Sequence, residues 1–134
     1  MMRAATFVLL AGLAGVALAG GDQAQPAYSG AELYRTYCKT CHGAAGKGDG
    51  TLASRLRVAP PDLTLLAKHA GGTFPAAKVQ RMIDGRDPVK GHGGPDMPVW
   101  GEVFAADPFN DRLEVRMKVR RLADHVRRIQ EAGD

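Results

Sequence analysis

Hydrophobic and polar positions change their pattern several times along the chain. An uncharged, mostly apolar run from Ala4 to Ala19 follows the weakly positive start Met1-Met2-Arg3. Ala17-Leu18-Ala19 places small residues where a signal peptidase reads them, so residues 1–19 are expected to be a secretory signal peptide. The run is slightly short for a bilayer span, which needs about 20 apolar residues; an uncleaved anchor is the alternative. A small, polar stretch with Pro26 follows, and residues 20–28 read as a flexible leader. Residues 29–134 are then one domain, since a chain of 134 residues is too short for two ordinary ones.

Within that domain, helical periods separated by Gly/Pro loops fit better than a sheet. Ser29 with Glu32 three positions on is a capping box, and Leu33, Tyr34 and Tyr37 follow at helical spacing up to Cys38. Gly43 to Gly50 is a loop, without the GxxxxGK[ST] order of a phosphate loop. Asp62 is a good N-cap for a short helix ending by Gly71-Gly72. Pro75 suits the first turn of a third helix carrying Val79, Met82 and Ile83, closed by Gly85 in the left-handed conformation. Asp87 to Gly101 is a long irregular stretch, which in a compact domain usually means a working loop.

The last segment carries two conflicting patterns. Leu113, Val115, Met117 and Val119 alternate, which is a strand signal. Val115, Val119, Leu122, Val126 and Ile129 fall on one helical stripe. The stripe runs longer, and Gly133 follows it, so the segment is expected to be a helix. The fold class is therefore all-α.

Charge adds little to this. The precursor carries 18 basic and 14 acidic residues, a formal +4, and removing Arg3 leaves +3. Much of the excess lies in the last helix, at Arg112, Arg116, Lys118, Arg120, Arg121, Arg127 and Arg128. A solvated helix face is the plainer reading of that run; steering toward acidic partners is the other. An exported chain with few aromatics is not expected to bind nucleic acid.

The cysteines change the picture. Cys38 and Cys41 are the only two, and in an oxidising compartment an even count usually means a disulfide. Here the loop between them is so tight that a staple would constrain little chain. Cys38-Lys39-Thr40-Cys41-His42 is instead the CxxCH pattern of c-type haem attachment. At a helix end, residues three apart are neighbours on one face, so both thiols reach the two vinyl groups of one porphyrin. His42 is thereby placed under the ring, with one imidazole nitrogen at the iron. Zinc would need further ligands, and no second cysteine pair or H-x3-H completes the set. A thioredoxin-like pair would need a βαβ context that is missing. One CxxCH implies one covalent haem c.

With Met97-Pro98 in a later loop before a C-terminal helix, the chain resembles the class I (mono-haem) cytochrome c family from about Ser29 to Gln130. The resemblance implies a cytochrome c-like fold, its helices wrapped around the haem, and Met97 as the distal iron ligand. His92, close by in the same loop, is the alternative, giving bis-His ligation. Met82 and Met117 read as core residues, and His69 as a surface helix end. The family pattern also implies a close crossing at Gly30 and Tyr34, with Leu122 and His125 as partners on the last helix. An aromatic ring is usual where His125 stands. Pro60, or Pro61 beside it, is placed to supply a backbone carbonyl to the second nitrogen of His42. Trp100 is expected to face the haem rim or a propionate.

The expected function is that of a periplasmic or secreted single-electron carrier, or an electron-transfer subunit of an oxidoreductase complex, and not itself an enzyme. Its partners would be a redox donor and acceptor such as a dehydrogenase, an oxidase or another cytochrome. Membrane contact would come only through a partner or an uncleaved leader. A haem c protein with a labile sixth site, acting on gases or as an enzymatic module, is the second reading, and a non-haem metal or structural module the third.

Overall fold

The computed structural model describes residues 28–87 and 97–131. The expected signal peptide, residues 20–27 of the leader and His92 lie outside the described residues. Among those described there are six α-helices and no strand, and no helix is long and apolar enough to cross a membrane.

Helix α1 spans Gly30–Tyr37 and begins with the expected reciprocal cap. The Glu32 N–H donates to the Ser29 hydroxyl at 3.2 Å, while the Glu32 carboxylate accepts from the Ser29 N–H at 2.8 Å. Cys38 interrupts it, and a single further turn, α2, covers Lys39–His42. Asp62 caps a 3-10 turn at Leu63–Leu65 that runs into α3, Leu66–His69. Pro75 precedes α4, Ala76–Asp84, and Gly85 ends it at φ 83°, left-handed as its position requires.

Helix α5, Trp100–Ala105, falls at the end of the stretch read as irregular. It is short and has no side-chain N-cap, so neither a period nor a start signal marks it. Helix α6, Arg112–Arg128, resolves the ambiguous segment as helix. The Asp111 carboxylate accepts the Glu114 N–H at 2.8 Å and fixes its start. Val119, Leu122 and Val126 of the stripe are buried and Val115 is half-buried, while Leu113, part of the alternation alone, is 57% exposed. Tertiary burial chose the longer period.

The core sits where α6 packs against α1, α4 and α5. Leu33 and Tyr34 come from α1, Val79 and Ile83 from α4, Phe104 from α5, and Val119, Leu122 and Ala123 from α6. Each large apolar side chain buried this way contributes about 1.5–3 kcal/mol. At the crossing of α1 and α6 the backbones nearly touch. A Cβ added to Gly30 would stand 2.1 Å from the Arg121 carbonyl oxygen and 3.0 Å from the His125 Cβ. The close approach is therefore to Arg121 and His125; Leu122 is turned into the core. The His125 imidazole lies against the Tyr34 ring at 4.9 Å between centroids, taking the place of the usual aromatic ring.

Candidate functional site

All six helices contribute to a cavity lined almost wholly by apolar atoms. The end of α1 and α2 supply Tyr34, Cys38 and His42. Helix α4 supplies Val79, Met82 and Ile83, and α6 supplies Leu122 and Val126. Pro61, Leu63 and Leu66 form another wall, and Met97 and Trp100 close the circuit. The space is about 560 Å³ with its open mouth included.

The CxxCH turn is held by its own backbone and by the loop that follows. A one-turn helix leaves its last carbonyls without helical partners. Here the N–H groups of Gly48, Gly50 and Leu52 donate to the carbonyls of His42, Cys41 and Thr40 at 2.9, 3.2 and 3.0 Å. The Tyr34 hydroxyl donates to the Gly43 carbonyl at 2.9 Å, tying the turn to the core. Gly48 is required twice over: its φ is 76°, and a Cβ there would lie 2.3 Å from the Pro60 carbonyl oxygen. The loop thus wraps back on α2 and brings the two prolines beside it.

His42 is 7% exposed and Cys38 lines the cavity beside it, while Cys41 is half-buried and outside the lining. In the bare chain burial pushes the Cys38 thiol up to about 12, with the neighbouring Cys41 adding to it. Burial likewise raises the Tyr34 hydroxyl to about 12, helped by Cys38 and Asp49. Both groups are neutral at ordinary pH, as an apolar pocket favours.

Met97 borders the same cavity as His42. Trp100 borders it too, its ring 5.2 Å from that of Tyr37 and 5.9 Å from that of Phe104. Met82 lines the wall, on the same helix as Val79 and Ile83. Pro61 lines the cavity; Pro60 does not, and its carbonyl packs on Gly48. His69 is exposed at the end of α3, and Met117 is half-buried on α6 outside the cavity.

Three contributors went unnoticed in the sequence. Leu63 and Leu66, three apart after the Asp62 cap, form cavity wall, a pattern their apolar spacing could have signalled. Gln130 clamps that wall to α6. Its amide donates to the Leu63 and Val126 carbonyls at 2.7 and 2.8 Å, and its oxygen accepts the Ala67 N–H at 2.8 Å. Nothing in the local sequence marks that role, because two of its three partners, Leu63 and Ala67, lie more than 60 residues away.

The donor set fits a haem. A buried imidazole and a thioether border one apolar cavity that a cysteine also lines, and these are donor types by which proteins hold c-type haem. Among the described residues no three His, Cys, Asp or Glu side chains converge on a point that could hold a bare metal ion.

No curated protein and no solved structure matches the chain. The family model for cytochrome c matches residues 27–107, from just before α1 through α5, including the CxxCH turn, Met97 and Trp100. On that match, over more than half its length, the chain belongs to the cytochrome c family, takes covalently bound haem c and works in haem-based electron transfer.

Proposed function

We propose that the protein is a periplasmic or secreted single-electron carrier, or an electron-transfer subunit of an oxidoreductase complex, with His42 and Met97 as its axial ligands. The observation carrying this reading is that both residues border one apolar cavity that Cys38 also lines.

Bound haem supplies one-electron Fe(III)/Fe(II) chemistry. Cys38 and Cys41 would anchor it through thioethers. His42 would give an imidazole nitrogen, and Met97 a soft, neutral sulfur that favours the ferrous state. With both of these side chains bound to the iron, the site would be closed to oxygen and substrates. Val79, Ile83, Leu63, Leu66 and Leu122 keep water out, and a dry wall disfavours the more highly charged ferric form. Partners are then redox proteins, a donor and an acceptor, met through small, short-lived interfaces. Location outside the cytoplasm rests on the apolar leader with its Ala17-Leu18-Ala19.

Replacing Met97 by Ala tests the ligation. The variant should turn high-spin, bind carbon monoxide and fall in potential, while the wild type does none of these. A wild-type protein that is already high-spin and takes up carbon monoxide would favour a labile sixth site. A six-coordinate Met97→Ala variant with unchanged voltammetry would remove Met97 as the ligand.

A further inference from the structure

Lys118 is the one buried lysine among the described residues, and the electron-transfer reading gives it no task so far. It is 7% exposed, although lysine is almost never this buried without a paired charge. Its ammonium donates to the Asn110 side-chain oxygen at 2.8 Å. It also stands 5.7 Å from the centre of the Phe104 ring and 6.0 Å from that of Tyr28. Among the described residues no carboxylate lies within ion-pair distance of it; Glu114, one turn earlier, reaches Arg121 at 3.3 Å instead. Asn110 and the two rings hold the positive charge, and among the described residues no carboxylate cancels it at contact. Asn110 is itself fixed, its amide donating to the Phe104 carbonyl at 2.8 Å.

The position of that charge gives it a use. Phe104 lies against Trp100, and Trp100 lines the cavity. The ammonium thus reaches the cavity wall, of which Trp100 is part, through the single ring of Phe104. Charges separated by apolar groups interact far more strongly than charges across water, and salt screens them less. A fixed cation there destabilises the more positive oxidation state of an iron in the cavity.

We propose that Lys118 tunes the redox site: its buried charge, seated by Asn110 behind Phe104, raises the reduction potential of the haem. This rests on the haem reading above. Lys118 acts through space and touches neither iron nor ligand.

The test is the midpoint potential of the haem-loaded full chain, by spectroelectrochemistry in buffer with salt near 0.1 M. Lys118→Gln removes the charge, and Asn110→Asp cancels it in place; both should lower the potential with the axial-ligand spectrum intact. Lys118→Arg should hold it near the wild-type value. Arg116→Gln removes an equal charge from an exposed position on the same helix, and should shift the potential less than Lys118→Gln. Wild-type potentials in Lys118→Gln and Asn110→Asp would overturn the proposal. So would an Arg116→Gln shift as large as that of Lys118→Gln, since the effect would then be one of overall charge. Should Lys118→Gln fail to fold, Asn110→Asp against Lys118→Arg decides in the same way. Wild-type protein emerging colourless would strike the haem reading itself, an outcome visible before any variant is made.

Discussion

Replacing Gly30 by Ala adds one methyl group to the surface of α1, and its consequence can be worked from the crossing with α6. The new carbon would lie 2.1 Å from the Arg121 oxygen and 2.9 Å from its carbonyl carbon, with His125 Cβ at 3.0 Å. The first two are backbone atoms in the middle of a helix of 17 residues, so no side chain can rotate away. The helices must part by roughly an ångström to restore contact distance, loosening Leu33 and Tyr34 against Leu122 and His125. Overpacking of this kind costs about 1–3 kcal/mol. Ala is favoured over Gly in a helix by up to about 1 kcal/mol, but Gly30 is the first helical residue, where only part of that applies. The clash therefore wins, with a net loss of about 2 kcal/mol. For a domain of this size that lowers Tm by roughly 8–16 °C. Thermal unfolding of haem-loaded protein, followed by far-UV circular dichroism, measures it. A Tm equal to or above that of the wild type would refute the reasoning, because the two backbones would then have room to spare.

Gln130→Ala should cost about 1–3 kcal/mol, since it strips partners from the Ala67 N–H and the Leu63 carbonyl at a half-buried seam. Urea unfolding should show a lower midpoint at unchanged slope, and an unmoved midpoint would mean water replaces the amide without loss. Tyr34→Phe should cost about 1 kcal/mol at neutral pH, through the lost bond to the Gly43 carbonyl. A buried hydroxyl whose folded pKa is raised gives stability that is whole below its unfolded value of 10.0 and is lost as pH climbs toward about 12. The gap in stability between wild type and Tyr34→Phe should therefore shrink above pH 10; a gap that stays constant to pH 12 would contradict the burial argument.

Legibility in the sequence followed the range of the interaction. The capping box at Ser29, the cap at Asp62 and the stop at Gly85 are decided within four residues, and each stands where its residues place it. The CxxCH motif was as plain, because attachment chemistry fixes its spacing. The terminal segment was harder, since its alternation and its helical stripe overlap from Val115 to Val119, and only burial against α1, α4 and α5 separates them. Helix α5 escaped because six residues without a cap give no periodic signal. Long-range features were hidden for the same reason. Gln130 shows its purpose only beside Leu63, and Lys118 reads as one more cation in a basic run until Asn110 and Phe104 surround it. The cytochrome c family match ends at residue 107, before α6 begins, yet α6 supplies much of the core.

The backbone wrapping around the CxxCH turn bears on how this centre can be moved to another scaffold. Grafting five residues onto the end of a foreign helix would transfer the attachment chemistry but strand three carbonyls and leave the imidazole free to wander. The transferable unit is longer, from residue 38 to 61: the return loop supplies the missing donors, and its close pass at Gly48 sets where the prolines stand. A designer who shortens that loop, or replaces Gly48 with a bulkier residue for rigidity, should expect protein that still acquires pigment but shows broadened, heterogeneous spectra.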